Sequence, residues 1–225
     1  NAAAHAVGSV LDGVIEVAER RLDNAFCAVR PPGHHAENDS AMGFCFFNNI
    51  ALAAEFLTRE MGFKRVLIFD FDVHHGNGTQ HFFEERADIF FASIHQDPRT
   101  SFPGTGFAHE RGSGGGAGFT LNVPVPPGMG DEEYLQIFYD QVQPKLDEYK
   151  PDFVLVSAGF DAHRDDPLAS LNLTERTFRE LTRELKQLAG QYAGGRILSL
   201  LEGGYDLNAL SSCVQEHLLI LHAED

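Results

Sequence analysis

The hydrophobic and polar positions along the chain form two kinds of segment that alternate. Short runs of apolar, β-branched and aromatic residues are bounded by polar or glycine-containing stretches, which is typical of buried strands. These runs occupy positions 26–29, 66–71, 89–94, 119–123, 153–157 and 197–201. Longer segments carry apolar residues at helical spacing. They occupy positions 2–22, 48–61, 132–149, 174–192 and 207–221. The alternation predicts an α/β fold in which an open, mostly parallel sheet carries helices on both faces.

The size and composition of the chain indicate a single intracellular domain. A chain of 225 residues with 43% hydrophobic residues can bury one substantial core, so we expect one domain over residues 1–225. No apolar run reaches the roughly 18 to 20 residues that cross a bilayer, and no signal-peptide pattern opens the chain. The three cysteines form no Cys-x-x-Cys pair, which argues against a disulfide framework or a zinc knuckle. We therefore expect a soluble, cytoplasmic protein with no membrane partner.

The charge of the chain excludes one class of partner. The formal net charge is −16 at pH 7, whereas a nucleic-acid surface requires clustered Lys and Arg to neutralise phosphates. An acidic balance fits either attraction of basic partners or plain solubility. Charge therefore argues against nucleic acid and selects no function.

The chemically informative residues directly follow the predicted strands, where ligands bind in open α/β sheets. Four runs are followed by histidines, carboxylates and a tyrosine. The stretches are RPPGHH after position 29, DVHHGNGTQ after 71, AGFDAHRDD after 157 and EGGYDL after 201. By contrast, the long irregular stretch 95–118 has many glycines without a phosphate-binding spacing, and we interpret it as a functional surface loop.

A metal site is predicted from the acidic residues of these stretches. Residues two apart in an extended chain point the same way, so Asp70, Asp72 and His74 should share a side. Asp161, at the end of another strand, would complete a set of two carboxylates and one imidazole with a position open for water, as in catalytic metal sites. A lone Asp-x-Asp usually caps a helix, but two buried carboxylates repel each other unless a cation compensates. We therefore predict a metal at Asp72, His74 and Asp161.

The adjacent residues His34 and His35 are candidates for proton transfer. A loop histidine is most often merely exposed or hydrogen-bonded. If the metal already has three ligands, however, the natural role of this pair is to move protons at a water that the metal activates. Tyr205 follows two glycines and either packs against the last helix or donates a hydrogen bond to a developing oxyanion. Together these residues indicate metal-assisted amide hydrolysis.

These motifs resemble those of the histone deacetylase family, on its class II and bacterial side, which also includes acetylpolyamine amidohydrolases. The matching stretches follow the family's order over nearly the whole chain. They are AVRPPGHHAE, GFCFFNNIALAA, DFDVHHGNGTQ, FFASIHQDPRTSFPGTG, VLVSAGFDAHRDDPL and LEGGYDL. The resemblance implies an arginase/deacetylase-like fold and a zinc-dependent deacetylase, with ferrous iron as the alternative metal. The implied substrates are acetylated lysine in proteins or an acetylated polyamine.

The resemblance also implies roles for individual residues. The metal ligands, the histidine pair and Tyr205 keep the roles argued above. The expected substrate-binding residues, which would line a narrow tunnel for a methylene chain or lie beside it, are Gly43, Phe44, Phe102 and Gly203. Asn77 would stand beside His35, and Asp70 would orient His34. A structural potassium ion would be held by Asp70 together with backbone oxygens of Asp72, His74, Ser93 and Ile94.

Two departures from the family pattern bear on function. Family catalytic domains are longer, and this chain is expected to lack the amino-terminal segment that carries an acidic rim residue. Asn77 stands where class I members have aspartate, and Tyr205 is not the histidine of the weakly active class IIa enzymes. The second comparison implies real deacetylase activity.

Two other functions compete with deacetylation. A binuclear arginase or agmatinase type of hydrolase needs more carboxylates than Asn77 and the surroundings of Asp161 supply. A silent acetyl-lysine-binding module would have lost a metal ligand or the tyrosine, and this chain has lost neither. The sequence leaves the choice between protein and polyamine substrates, the choice between zinc and iron, and the oligomeric state open.

Overall fold

The predicted strands form one open sheet in the computed structural model, which describes residues 1–223. The six strands are β1 (Asn24–Cys27), β2 (Val66–Asp70), β3 (Ile89–Gln96), β4 (Thr120–Val125), β5 (Phe153–Ala158) and β6 (Ile197–Leu201). Their order across the sheet is β1-β6-β5-β2-β3-β4. Every neighbouring pair of these strands is parallel, so the predicted open sheet is confirmed and is parallel throughout.

Helices cover both faces of the sheet, as predicted. They are α1 (Ala2–Ala18), α2 (Asn49–Arg59), α3 (Asn77–Phe83), α4 (Asp131–Ile137), α5 (Gln143–Tyr149), α6 (Glu175–Tyr192) and α7 (Leu207–His222). Strand β2 shows why both faces are apolar, because its residues alternate between two cores. Leu67 and Phe69 pack on the side of α4 to α7, whereas Val66 and Ile68 pack on the side of α1 and α2.

The predicted helix over 132–149 is wrong as a single element. The chain forms α4, then a π-helical turn over Phe138–Val142, and then α5. Pro144 lies in the first turn of α5. A proline lacks an amide hydrogen and crowds the carbonyl four residues earlier, so the regular α ladder cannot run through this position.

Helix α3 was not predicted from the sequence and begins inside the DVHHGNGTQ motif. This helix has only seven residues and no side-chain cap, so its periodic signal is weak. Tertiary contacts hold it instead. The amide of Thr79 donates to the carbonyl of His34, and a methyl group on Gly78 would lie 2.1 Å from the carbonyl oxygen of Ala36. The helix therefore packs directly against the histidine loop.

Several predicted boundaries also move. Helix α1 ends at Ala18 rather than 22, and Arg20 takes a left-handed backbone with φ of 63°. Strand β1 occupies 24–27 rather than 26–29, because its pairing with β6 ends at Cys27. Strand β3 extends to Gln96, so the irregular loop begins at residue 97. None of the helices within residues 1–223 has the length and apolar content needed to cross a membrane.

The strand order explains how one site is assembled. The four strands that precede the chemically informative stretches are β1, β6, β5 and β2, and these are consecutive in the sheet. Because all four are parallel, their carboxyl ends lie at the same edge. Four segments that are distant in sequence thus converge.

Candidate active site

Asp72, His74 and Asp161 form a cluster at the ends of β2 and β5. Nδ1 of His74 lies 3.1 Å from Oδ1 of Asp72 and 3.1 Å from Oδ2 of Asp161. One donor atom of each residue lies within 4.8 Å of the other two. Both carboxylates are buried, while His74 retains some exposure. The structure therefore brings together the three residues predicted to bind a metal.

Two glycines allow the carboxylates to pack so closely. The amide of Gly203 donates to Oδ2 of Asp72 at 2.8 Å. A methyl group on Gly203 would lie 2.0 Å from Oδ2 of Asp161, and one on Gly159 would lie 2.1 Å from Oδ2 of Asp72. Gly203, predicted to bind substrate, thus packs against the carboxylate cluster and does not line the neighbouring cavity.

The electrostatics of the cluster fit a cation. Burial, together with the charge of Asp72, raises the pKa of Asp161 to about 6. Burial also disfavours a charged His74, but hydrogen bonds to Asp161 and Asp72 outweigh it and raise the pKa of His74 to about 11. Two buried carboxylates therefore favour positive charge at the imidazole. A divalent cation suits this donor set, in which two carboxylate oxygens and one imidazole nitrogen converge.

His34 is surrounded by carboxylates. Its Nδ1 lies 2.9 Å from Oδ2 of Asp70, as predicted for an orienting partner, and its Nε2 lies 3.9 Å from Oδ1 of Asp72. Oε2 of Glu202 accepts hydrogen bonds from the amides of Gly33 and His34. Burial lowers the pKa of His34, but the charges of Asp70, Asp72 and Glu202 prevail and raise it to about 10. The three carboxylates therefore favour the protonated form of His34.

His35 has a neutral partner instead. Its Nδ1 lies 2.7 Å from Oδ1 of Asn77, the contact expected from the sequence. Burial, followed by the charge of His34, lowers the pKa of His35 to about 3. The rings of the two histidines are 4.0 Å apart between centroids. Two adjacent histidines therefore differ in charge preference because one faces a carboxylate and the other faces an amide.

A cavity of about 460 Å³ opens beside the cluster. It is lined by His35, Met42, Gly43, Phe44, His74, Phe102, Leu168 and Tyr205. The ring of Phe102 meets that of His35 edge to face at 5.0 Å, and Phe44 approaches Tyr205 at 6.2 Å. The predicted residues Gly43, Phe44 and Phe102 thus stand in one apolar wall with Tyr205.

A tight turn presents Phe44 to the cavity. Met42 and Cys45 exchange two backbone hydrogen bonds, and Gly43 and Phe44 between them both have positive φ, at 52° and 66°. This is the geometry of a two-residue hairpin turn, and a positive φ is uncommon for a phenylalanine. A methyl group on Gly43 would lie 2.3 Å from Cδ2 of His35. The turn can therefore pack on the histidine only with glycine at this position.

Tyr205 is placed by its backbone. The amide of Tyr205 donates to Oδ2 of Asp166 at 2.7 Å, and Oδ1 of Asp166 accepts from the amide of Leu168. Burial, together with the charges of Asp161 and Asp72, raises the pKa of Tyr205. The phenol therefore stays neutral and available as a donor at the cavity wall.

The residues predicted to hold potassium lie on adjacent strand ends. Asp70 is paired with Ser93 in the register of β2 and β3. The amide of Asp72 donates to Oδ1 of Asp70, and the carbonyl of Ile94 accepts a hydrogen bond from the hydroxyl of Tyr134. The register therefore puts the end of β2 beside Ser93 of β3.

Several residues of the site were not predicted from the sequence. Glu202 directly follows β6 and opens the EGGYDL stretch, so the signal that singled out this stretch applied to Glu202 too. Its Oε1 also accepts a hydrogen bond from Ser157, and burial raises its pKa to about 7. Asp166 lies within the AGFDAHRDD stretch but had no distinguishing pattern, and neither did the cavity-lining residues Met42 and Leu168.

Comparisons with known proteins point to one family. The family model for the histone deacetylase domain matches residues 1–221. The chain is 47% identical over 225 residues to "Histone deacetylase 14, chloroplastic" from Arabidopsis thaliana, covering 99% of this chain and 53% of that protein. It is 42% identical over 202 residues to a "Probable deacetylase" from Archaeoglobus fulgidus, covering 90% of this chain and 55% of that one.

A solved structure shows the same fold. The crystal structure of the HDA15 HD domain superposes with a TM-score of 0.91 at 42% identity, covering 99% of this chain and 64% of that chain. The chain spans about half the length of the relatives it matches, 53% and 55% of the two named above. On the match of the family model to residues 1–221, this chain belongs to the histone deacetylase family.

Proposed function

We propose that this protein is a metal-dependent amidohydrolase that removes acetyl groups from lysine side chains. One observation carries the proposal. The apolar cavity contains His35 and Tyr205 in its wall and ends on the Asp72, His74 and Asp161 cluster through His74. A linear amide that enters this cavity meets a proton acceptor, a neutral hydrogen-bond donor and a cation-favouring donor set together.

The cavity wall suits an uncharged chain. The edge-to-face contact of Phe102 with His35 keeps apolar surface next to the reacting groups. The methylene groups of an acetylated lysine would pack between Phe44 and Phe102, which are both exposed in the free protein. Burial of these groups supplies binding free energy at about 25 cal/mol per Å² of apolar area.

The roles of the polar residues follow from their contacts. His35 holds Nδ1 against Asn77, so its Nε2 is the nitrogen that accepts a proton from the attacking water and returns it to the departing amine. The Tyr205 hydroxyl donates to the amide oxygen as negative charge develops there. His34, paired with Asp70, keeps positive charge next to the reaction and assists the proton transfers.

Asp72, His74 and Asp161 would hold the catalytic cation, for which we propose zinc, with ferrous iron as the alternative. Such an ion supplies Lewis acidity for the carbonyl and lowers the pKa of water. We further propose that Asp70, with the backbone oxygens of Asp72, His74, Ser93 and Ile94, holds a structural potassium ion. The adjacency of Asp70 and Ser93 in the sheet supports this second assignment.

The competing functions have less support. Within residues 1–223 one group of three potential metal-ligating side chains was found, which favours a single catalytic metal over a binuclear arginase-like site. No specific contact distinguishes an acetylated polyamine from acetyl-lysine, so the polyamine substrate serves as the second arm of the test.

The experiment compares turnover of an acetyl-lysine peptide with that of N-acetylputrescine by the zinc-loaded protein. We expect hydrolysis of the peptide, and loss of it in Asp161→Asn, which removes one carboxylate charge from the cluster. The matched control is Asp165→Asn, an exposed aspartate of the same loop, which should retain activity. Turnover of N-acetylputrescine alone would reassign the substrate, and equal activity in both variants would refute the metal assignment.

We propose a cytoplasmic location on the sequence pattern alone. The name of the Arabidopsis thaliana relative places that protein in the chloroplast. Fractionation of the source cells, with immunodetection of the protein, separates a cytoplasmic from an organellar location.

A further inference from the structure

Asn77 connects the buried His35 to a carboxylate outside the cavity. Oδ1 of Asn77 faces Nδ1 of His35 at 2.7 Å. Nδ2 of Asn77 donates to Oε1 of Glu37 at 2.5 Å and lies 3.3 Å from the carbonyl oxygen of His35. The remaining neighbour of Nδ2 is Sδ of Met42 at 3.5 Å. The amide group thus has acceptors around its nitrogen and an imidazole against its oxygen.

This environment fixes the orientation of the Asn77 amide. A carboxylate and a backbone carbonyl only accept hydrogen bonds, so the atom that faces them must be the NH₂ group. A flipped amide would place its oxygen against two other acceptors and leave the NH₂ group against the ring. Glu37 supplies the charged acceptor, and hydrogen bonds to a charged group are the stronger kind.

The orientation of Asn77 in turn selects the tautomer of His35. Since Oδ1 of Asn77 only accepts, Nδ1 of His35 must carry the hydrogen, and Nε2 is left with its lone pair. A lone pair at Nε2 is what a proton acceptor in the cavity requires. An aspartate at position 77 would present an acceptor in either orientation, whereas an asparagine does so only when something orients it.

We propose that Glu37 is a positioning residue that acts through Asn77 to hold His35 as the Nδ1-protonated tautomer. The inference rests on the proposed function for its catalytic consequence, but the tautomer itself can be observed without activity. Two sets of hydrogen bonds hold Glu37 in place. Its backbone amide donates to the carbonyl of Ser40, and both of its carboxylate oxygens lie 2.9 Å from Nδ1 of the exposed His81.

A simpler explanation is that Glu37 and His81 form an ordinary surface ion pair, which contributes little. The two explanations differ in what happens to His35 when Glu37 is changed. A surface pair leaves the imidazole tautomer untouched, whereas a positioning carboxylate does not.

The direct test is ¹⁵N NMR of the ring nitrogens of His35 in the zinc-loaded protein, compared between wild type, Glu37→Gln and Glu37→Ala. We expect one tautomer with the hydrogen on Nδ1 in wild type and a mixture in both variants. The turnover number should fall by about 10- to 100-fold, the range known for residues that orient a metal ligand through a hydrogen bond, with KM and zinc content unchanged. Asp39→Asn, which removes an exposed charge from the same loop, should match wild type.

A double-mutant cycle sharpens the test. In Asn77→Asp both side-chain oxygens at position 77 are acceptors, so the side chain need not be oriented by Glu37. In the Asn77→Asp background, Glu37→Gln should cost no activity, since either carboxylate oxygen accepts from His35. Equal losses from Glu37→Gln in both backgrounds, or an unchanged tautomer in Glu37→Gln and Glu37→Ala, would overturn the inference. If wild type shows the expected tautomer but hydrolyses neither substrate, the proposed function fails while the positioning role stands.

Discussion

At the scale of single residues, side chains of the same type differ in pKa and in hydrogen-bond partners because their neighbours differ. His34 and His35 are adjacent in sequence and both buried, yet carboxylates raise the pKa of one and burial lowers that of the other. Asp72 and Asp161 likewise share a cluster but accept from different backbone amides, those of Gly203 and Val73. The chemical role of each residue therefore depends on the group that the fold places against it.

The residue-scale prediction concerns Tyr205. Tyr205→Phe removes the hydroxyl but keeps the ring that packs near Phe44. If the hydroxyl donates to the developing oxyanion, the turnover number should fall by about 10²- to 10³-fold, the loss typical of one such donor. Steady-state kinetics on an acetyl-lysine peptide measure it, with zinc content determined alongside.

Tyr139→Phe is the matched control, because Tyr139 is exposed and bonds to Glu184 away from the site. It should keep normal turnover. Near-normal turnover in Tyr205→Phe would mean that Tyr205 only packs in the cavity wall.

At the scale of helices and strands, the sequence predicts that an element exists more reliably than it predicts the residues at which the element begins and ends. The runs over 153–157 and 197–201 match β5 and β6 to within one residue, because both strands are buried on both faces and read as continuous apolar runs. Helix α3 was not predicted because its position depends on contacts with the histidine loop rather than on a helical spacing of apolar residues. Pro144 indicates a break near the start of α5, but the apolar spacing over 132–149 predicted one continuous helix.

The element-scale prediction concerns the polar bridge between α6, α7 and β6. His217 lies between Thr182 and Ser199, with its ring nitrogens 2.7 Å from each hydroxyl, and burial lowers its pKa to about 3. An unfolded histidine titrates near 6.5. The unfolded chain therefore binds more protons at this histidine between these values, and the contribution of His217 to the free energy of unfolding falls as pH drops from about 6.5 towards 3, by a few kcal/mol in total.

Urea unfolding at a series of pH values in this range measures the slope. His217→Gln should be less stable at pH 7 but should lose less stability on acidification than wild type does. His5→Gln, at an exposed position in α1, should keep the wild-type slope. The same slope in all three proteins would show that His217 does not contribute to acid sensitivity.

At the scale of the whole molecule, the order of the strands assembles the site. The sequence predicted which stretches carry the chemistry, because polar residues directly follow apolar runs. It did not predict that β1, β6, β5 and β2 are neighbours, since strand order depends on pairing between segments such as β1 and β6 that lie about 170 residues apart. Glu202 shows the consequence, because it bonds to Gly33 only in the assembled sheet.

The last prediction is that the cation stabilises the whole fold. The chain carries a net charge of −16, and Asp72 and Asp161 are both buried in one cluster, so the folded state without a cation holds like charges together at a cost. An ion that binds only the folded state adds RT ln(1 + [L]/Kd), about 4 kcal/mol at a thousandfold excess over Kd. For a chain of this length the melting temperature should rise by roughly ten degrees. Calorimetry of chelator-treated protein, with and without zinc, measures this increment without any assay of activity.

Gly203→Ala should abolish the increment in melting temperature, because the added methyl would lie 2.0 Å from Oδ2 of Asp161 and 2.6 Å from Oδ2 of Asp72. Gly190→Ala, in α6 with nothing within 4 Å of the added methyl, should keep the full increment. If Gly203→Ala kept it too, the ion would have to bind elsewhere than at Asp72, His74 and Asp161.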